Sequence, residues 1–277
     1  MREPGFYRDI PEAEYHASEG VSKSQLWVLH TKSPAHMRFG EKAESPAVAL
    51  GSLIHAATLT PEALGDYAIA PAINKNTNDY KAWKAATLGA GKIICDQDDM
   101  DRAQQIADRL RADRTIAPLL MHKSFMPEVS GYWQDESTGE ACRCRWDGVV
   151  PHRALLDLKS TADASTLDDL TRSILKYGYH VQEASYRHAW NVLTGQRLPF
   201  IFIFVEKVRP FAHRVVEIDY EFNEIGWKLY RRALETYHQC RLTDTWPAYP
   251  TGVIDSLGCP DWYRRAVEGS YSRDVAA

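Results

Sequence analysis

The amino-acid sequence predicts an α/β fold, a single domain over residues 1–277 with a central mixed β-sheet flanked by helices. Three observations carry that prediction. Apolar residues recur at helical spacing through 96–114, at Met100, Ala103, Ile106, Ala107 and Leu110. Strand-like runs separated by turn residues dominate 125–160. Helical and strand patterns then alternate from 167 to 241, and no linker, internal repeat or low-complexity stretch divides the chain.

Taken in order, the first twenty residues are punctuated by Pro4, Gly5, Pro11 and Gly20 and read as an irregular N-terminal segment. In SKSQLWVLH, Ser22 opens a helix, and Gln25 three residues on completes a capping box. Ser33-Pro34 opens another, with serine as cap and proline at the first helical position. Ala47 to Leu59, AVALGSLIHAATL, is apolar almost all round, the pattern of a buried helix, and Pro61 closes it. Residues 71–92 are polar and lysine-rich and read as a surface loop with a short helix, followed by a brief strand at Ile93-Ile94. Strands are expected over 125–133, 141–150 and 153–160, with Ser137-Thr138-Gly139 turning between the first two. One or two helices span 167–193, with a break at Gly178. Strands over 200–208 and 213–220, separated by Arg209-Pro210, lead into a helix over 221–241. Residues 243–277, rich in Pro, Gly and Trp, read as an irregular C-terminal tail.

With 44% hydrophobic and 25% charged residues and a net charge of −4, the chain lacks the global basic footprint of a protein that coats nucleic acid. Local positive charge around a local acidic site stays compatible with that sum. The five cysteines form no CxxC pair, and their odd number does not fit a disulfide framework. The N-terminus has no apolar core of signal-peptide type, and no apolar run approaches membrane-spanning length. Together these features predict a reduced, cytoplasmic protein.

The chemistry concentrates in residues 141–161, ACRCRWDGVVPHRALLDLKST. Side chains alternate along a strand, so Asp157 and Lys159 share one face while Leu156 and Leu158 point to the apolar side. Phosphodiester hydrolysis needs a nucleophilic water, charge relief on the phosphate and help for the leaving oxygen, and divalent ions bound by carboxylates supply all three. Asp147 and Asp157 on neighbouring strands are placed to hold such an ion, with the backbone carbonyl of Leu158 as a third oxygen. Lys159 is placed to orient or deprotonate a water, or to neutralise a phosphate. The spacing Asp-x9-Asp-x-Lys is weak by itself, since a solvated surface hairpin would show it too.

Other residues point the same way. Glu128, on the preceding strand, adds a further acidic group. Gln182 and Tyr186 are four apart on a helix and share a face, from which they would bind phosphate oxygens or position Lys159. His55 is an imidazole on an apolar helix, a setting in which a hydrogen-bonded core residue is commoner than a ligand. Arg143 and Arg145 share the Asp147 face and would contact a phosphate or pair with the acidic ligands, leaving Cys142 and Cys144 on the packed side. Ser22, Lys23 and Ser24 sit at a helix start, where they would cradle a phosphate or simply cap the helix.

At this point the residues carry a resemblance. The segments EYHASEGVSKSQL, LGSLIHAATLTPE, YWQDESTGEACRCRWDGVVP, LLDLKSTADAS, YGYHVQEASYRHAW and DTWPAY follow one another from residue 14 to about 250. In these the chain resembles the PD-(D/E)XK nucleases, and among them the RecE-type, exonuclease VIII-like family of phage and prophage recombination exonucleases. The resemblance implies a Mg²⁺-dependent enzyme, with Mn²⁺ able to substitute, that degrades linear double-stranded DNA 5′→3′ in a bacterial host. It would leave 3′ overhangs for a single-strand annealing protein and assemble as a homo-oligomeric ring, trimer or tetramer. Carried over by position, His55, Asp147 and Asp157 would be metal ligands and Lys159 the water-activating residue. Glu128 would fill the acidic position of the first motif, and Gln182 and Tyr186 the helix motif. The alternatives are a DNA endonuclease or single-strand nuclease of the same fold, or a DNA-binding scaffold that has lost activity.

Overall fold

The computed structural model describes residues 2–41 and 46–274; Met1, 42–45 and 275–277 lie outside the described residues, as do the side chains of 46–48 and 269–274. The N-terminal segment, predicted irregular, is ordered: strand β1 (Gly5–Tyr7) and helix α1 (Glu12–Ala17) precede the two-residue strand β2 (Val21–Ser22). Its order comes from pairing with a distant strand, which no local pattern reveals. Helix α2 (Lys23–Thr31) begins with the predicted capping box: the Ser22 hydroxyl accepts from the Gln25 backbone, and the Gln25 side chain accepts from the Ser22 backbone at 2.9 Å. Ser33 likewise caps α3 (Pro34–Phe39). Helix α4 (Pro46–Leu59) is the predicted apolar helix and buries Leu53, Ile54 and Ala57.

A tight helical turn (Pro61–Asp66) leads to β3 (Tyr67–Ile69), α5 (Asn78–Gly89) and β4 (Ile93–Cys95), where β3 and β4 pair as a small parallel sheet. Helix α6 (Gln97–Ala112) buries all five residues that its spacing singles out, and a short α7 (Ala117–Leu120) follows. The three expected strands are β5 (Met126–Gln134), β6 (Ala141–Val150) and β7 (Ala154–Thr161). Gly178, left-handed at φ 64, separates α8 (Leu167–Tyr177) from α9 (Tyr179–Thr194). Strands β8 (Phe200–Glu206) and β9 (His213–Val216) precede the long helix α10 (Tyr220–Thr243).

Where the sequence predicts one domain over 1–277, the chain divides into two compact units, Met1–Pro247 and Ala248–Ala277. The second is not irregular throughout: it contains helix α11 (Asp261–Asp274). Among the described residues no helix is long and apolar enough to cross a membrane.

The main sheet has seven strands, ordered β1-β5-β6-β7-β8-β9 with β2 against β6. Pairing is antiparallel except for β7–β8 and β2–β6, so the sheet is mixed, as predicted. The parallel β7–β8 pair requires a crossover, and α8 and α9 supply it. A first core fills the face under α2, α8, α9 and α10, with Trp146, Leu155, Phe200, Phe202 and Phe204 from the strands. A second core fills the opposite face under α4, α6 and α7, with Leu156, Leu158, Ile203 and Val205. The β7 alternation read from sequence is therefore observed: Leu156 and Leu158 on one side, Asp157 and Lys159 on the other.

Helix α9 is held against α10 at unusually short range, because Gly226 lies directly on the His180 carbonyl, where a β-carbon would collide. This packing sets the height of α9, and of Gln182 on it, above the sheet. Gly226→Ala should destabilise the fold by roughly 1–3 kcal/mol through overpacking. The expected readout is a lower midpoint in urea unfolding; an unchanged midpoint would mean the helices separate without cost.

Candidate active site

Side chains along β5 and β6 should alternate between the two cores. Val129 and Trp146 face the first core, and so does the next ladder pair on that face, Met126 and Val149, each three residues away along its strand. An odd step on both strands means that the alternation slips between them. Within that interval Glu128 and Asp147 face each other without a ladder pair, between the pairs Pro127–Gly148 and Val129–Trp146. Glu128 takes up the slip in its backbone, at φ 49. A non-glycine residue held there costs about 1–3 kcal/mol, a strain found where surrounding structure imposes it.

A second irregularity lies on the other edge of β6. Strand β7 pairs with β6 only from Gly148–Leu156 to Val150–Ala154, and beyond Leu156 the strands part. The Asp147 carboxylate replaces the missing ladder partner, accepting from the Leu158 N–H at 2.7 Å. From α4, His55 closes the same corner: its Nε2 lies 2.7 Å from the Leu158 carbonyl oxygen, and its Nδ1 lies 3.7 Å from Asp147 Oδ2. A carbonyl only accepts, so Nε2 carries a proton and Nδ1 is the ring nitrogen turned toward the carboxylate.

His55, Glu128 and Asp147 each offer one donor atom, all within 4.8 Å of one another. Burial, followed by the negative charge of Asp147, pushes Glu128 up to about 8, and Arg145 offsets this only in part. Two carboxylates and an imidazole nitrogen converging on one point form a donor set suited to a divalent cation.

Asp157 is fully buried beside this cluster and is not part of it. Its Oδ1 pairs with the Lys159 ammonium, and its Oδ2 accepts from the Gln182 amide. The reason is its face: Asp157 points toward α9 and the first core, while His55 approaches from the second. Burial and the charge of Asp147 raise Asp157 to about 6, against the opposing pull of Lys159. Burial also works against the charge on Lys159, but Asp157 and Asp147 outweigh it and hold the ammonium above the ordinary lysine range. Of the predicted ligands His55, Asp147, Asp157 and the Leu158 carbonyl, the first two lie together with Glu128, while the other two meet different partners. Asp157 contacts Lys159 and Gln182, and the Leu158 carbonyl contacts His55.

The remaining candidates separate. Tyr186 shares the Gln182 face as predicted, but its ring packs on Trp146 and Phe200 at 6.1 and 6.2 Å, and it makes no hydrogen bond to Asp157 or Lys159. Arg143 is buried and donates to the carbonyls of Tyr15, at 2.7 Å, and Ser18. Arg145 donates to the Ile10 carbonyl at 2.7 Å and stacks 4.3 Å from the Tyr15 ring. Both arginines latch the N-terminal segment, which lies on their side of β6, and the Arg145 charge also acts on Glu128. Cys142 and Cys144 are free thiols buried in the first core, as expected.

Of the helix-start trio, Ser22 is committed to capping and Ser24 is exposed. Lys23 is buried, donates to the Tyr177 carbonyl at 2.7 Å, and is pushed down to about 7 by burial and by the charge of Lys159. Sequence reasoning missed Tyr179, whose ring centre lies 5.0 Å from Lys159 Nζ. The available signal was its position three residues before Gln182, one turn back along α9.

A family model described as the PDDEXK-like domain of unknown function DUF3799 matches residues 30–258. The chain belongs to that family. Among solved structures, a protein from Eubacterium rectale, provisionally described as an exonuclease, aligns with a TM-score of 0.63 at 15% identity, over 92% of this chain and 96% of its own. At that identity the likeness is one of fold. A phage-related exonuclease from Haemophilus somnus 129PT aligns with a TM-score of 0.35 at 12% identity, over 83% of this chain and 98% of its own, too distant to carry an argument. No curated protein matches. The PDDEXK-like assignment agrees with Asp157-Leu158-Lys159 on the inner strand β7 and Asp147 on its neighbour.

The cluster has a measurable consequence. A Glu128 carboxyl near 8 in the folded protein, against an ordinary 4.5, means that the native state binds this proton more tightly than the unfolded chain. Its stabilising contribution is complete below the unfolded value and is lost as pH rises through the folded one. Ion-free protein should therefore melt at falling temperature between about pH 5 and about pH 8. Mg²⁺ or Mn²⁺ should restore more of the melting temperature at the upper end, and Glu128→Gln should flatten the trend. A melt indifferent to both pH and ion would remove the cluster as a cation site.

Proposed function

We propose that the chain is a Mg²⁺-dependent exonuclease that hydrolyses linear double-stranded DNA 5′→3′ and leaves 3′ single-stranded overhangs for strand annealing. The observation that carries this reading is the convergence of Glu128, Asp147 and His55 beside the Asp157–Lys159 pair, at the point where β6 and β7 part. The fold relative described provisionally as an exonuclease supports an end-dependent enzyme over other nuclease chemistries. The quoted motifs support the same reading, together with DNA ends as substrate, a ring of three or four copies and a single-strand annealing partner.

In this reading Glu128, Asp147 and His55 hold the Mg²⁺, for which Mn²⁺ would substitute. Bound there, the ion supplies positive charge to the scissile phosphate and acidifies water. The chain's own groups do the rest. Gln182 and Lys159 fix Asp157 in one rotamer, and Asp157 in turn aims Lys159 along the strand edge. As held here, Lys159 is an ammonium and neutralises phosphate charge. It becomes a proton acceptor for water only when the negative charge of the carboxylates is taken up elsewhere.

The test uses linear duplex DNA labelled separately at each 5′ and 3′ end, beside a covalently closed circle, with wild type and Asp157→Ala in Mg²⁺. Mononucleotides should leave 5′ ends only, the circle should stay intact, and the variant should be inactive. A cut circle would make the enzyme an endonuclease, and release from single strands alone a single-strand nuclease. DNA binding without cleavage, in Mg²⁺ or Mn²⁺, would make it a scaffold. Lys159→Ala should keep DNA binding and lose cleavage by about 10²- to 10⁴-fold; a rate near wild type would take Lys159 out of the chemistry.

A further inference from the structure

Tyr177, Gly178 and Tyr179 form the elbow between α8 and α9, and α2 grips this elbow. The Lys23 ammonium, buried, donates to the Tyr177 carbonyl in the last turn of α8, where unpaired carbonyls favour a cation. Trp27, one turn on from Lys23, lies so flat on Gly178 that any side chain there would collide with its indole. Gly178 is also left-handed, so the elbow admits glycine on both counts.

Gripped in this way, the elbow delivers Tyr179 to the sheet. Its ring lies 5.9 and 6.0 Å from Phe202 and Phe204 on β8. Phe204 is the register neighbour of Lys159 across the parallel β7–β8 pair. The same ring lies 5.0 Å from the Lys159 ammonium and 5.8 Å from that of Lys23. Lys23 has no carboxylate within ion-pair distance among the described residues, so this buried amine sits beside Lys159 without a counter-charge of its own, and burial together with Lys159 disfavours its charged form. Such an arrangement opposes stability and calls for a purpose. A long lysine side chain fixed only at its tip by Asp157 keeps rotamer freedom; an aromatic face beneath the ammonium removes it.

We propose that Tyr179 is a positioning residue for Lys159, its ring held under the ammonium by the grip of Lys23 and Trp27 on the α8–α9 elbow. The kinetic consequence rests on the nuclease reading; the positioning itself does not. The experiment therefore has two readouts on Tyr179→Phe, Tyr179→Leu and Lys23→Met. The first is limited acetylation by acetic anhydride, read by mass spectrometry at Lys159 with exposed Lys84 as internal reference. Lys159 should be labelled about tenfold faster in Tyr179→Leu, at the wild-type rate in Tyr179→Phe, and at an intermediate rate in Lys23→Met.

The second readout is turnover of linear duplex DNA in Mg²⁺. Tyr179→Leu should lower kcat about tenfold at unchanged KM, and phenylalanine should restore it. Wild-type labelling of Lys159 in a cooperatively melting Tyr179→Leu overturns the proposal, and so does a phenylalanine variant as impaired as the leucine one. Where the leucine variant does not fold, Lys23→Met decides, and wild-type labelling of its Lys159 overturns the proposal. Absence of cleavage by wild type would count against the nuclease reading alone, with the labelling still deciding the role of Tyr179.

Discussion

The site depends on one hydrogen bond, from the Leu158 N–H to the Asp147 carboxylate at 2.7 Å. Where β6 and β7 part, Leu158 would otherwise present a buried, unpaired donor, at a cost of about 1–3 kcal/mol. Asp147 removes that cost, and in doing so its carboxylate is fixed at the split. His55 then binds the other polar group of the same residue, the Leu158 carbonyl, which leaves its Nδ1 facing Asp147. Glu128 is brought opposite by the slip in strand alternation. Three donors from three elements meet because one backbone position had to be satisfied.

Charge decides what this meeting is for. Glu128, Asp147 and Asp157 lie within mutual electrostatic reach; Lys159 pairs with Asp157, and His55 Nδ1 lies 3.7 Å from Asp147. Burial and the nearby charge of Asp147 make Glu128 and Asp157 reluctant to ionise. A stable fold would ordinarily avoid such an excess or spread it into solvent. Its retention, together with a strained backbone at Glu128, is the local cost that a cation site would offset, the reading proposed above.

Much of the frame was legible because it rests on local rules. Ser22 and Gln25 announce their capping box, the five apolar residues of α6 announce their buried face, and Gly178 announces the break between two helices. Alternation along β7 separated Asp157 and Lys159 from Leu156 and Leu158. The same rule failed on β5 and β6, because a slip shared by both strands leaves their pairing register intact and no trace in the pattern. Whether Asp157 binds an ion or holds Lys159 is likewise not a property of the strand. It depends on Gln182 reaching across from α9, at a height set by the contact of Gly226 with His180. The hold of Arg143 and Arg145 on the N-terminal segment went unread for a related reason: their partners are backbone carbonyls of a segment that the sequence describes only as irregular.

That N-terminal segment holds the site from two directions. Arg143 and Arg145 grip the carbonyls of Ile10, Tyr15 and Ser18 and keep α1 on the strand that carries Asp147. Arginine suits this task better than lysine, since a planar guanidinium reaches several acceptors at once and stacks on the Tyr15 ring. A few residues later the chain turns into α2 and grips the α8–α9 elbow through Lys23 and Trp27. Between these supports lie Glu128 and Asp147 on one side and Lys159 with Gln182 on the other. The acidic centre and its lysine come from distant parts of the chain, and the first thirty residues hold both sides in place.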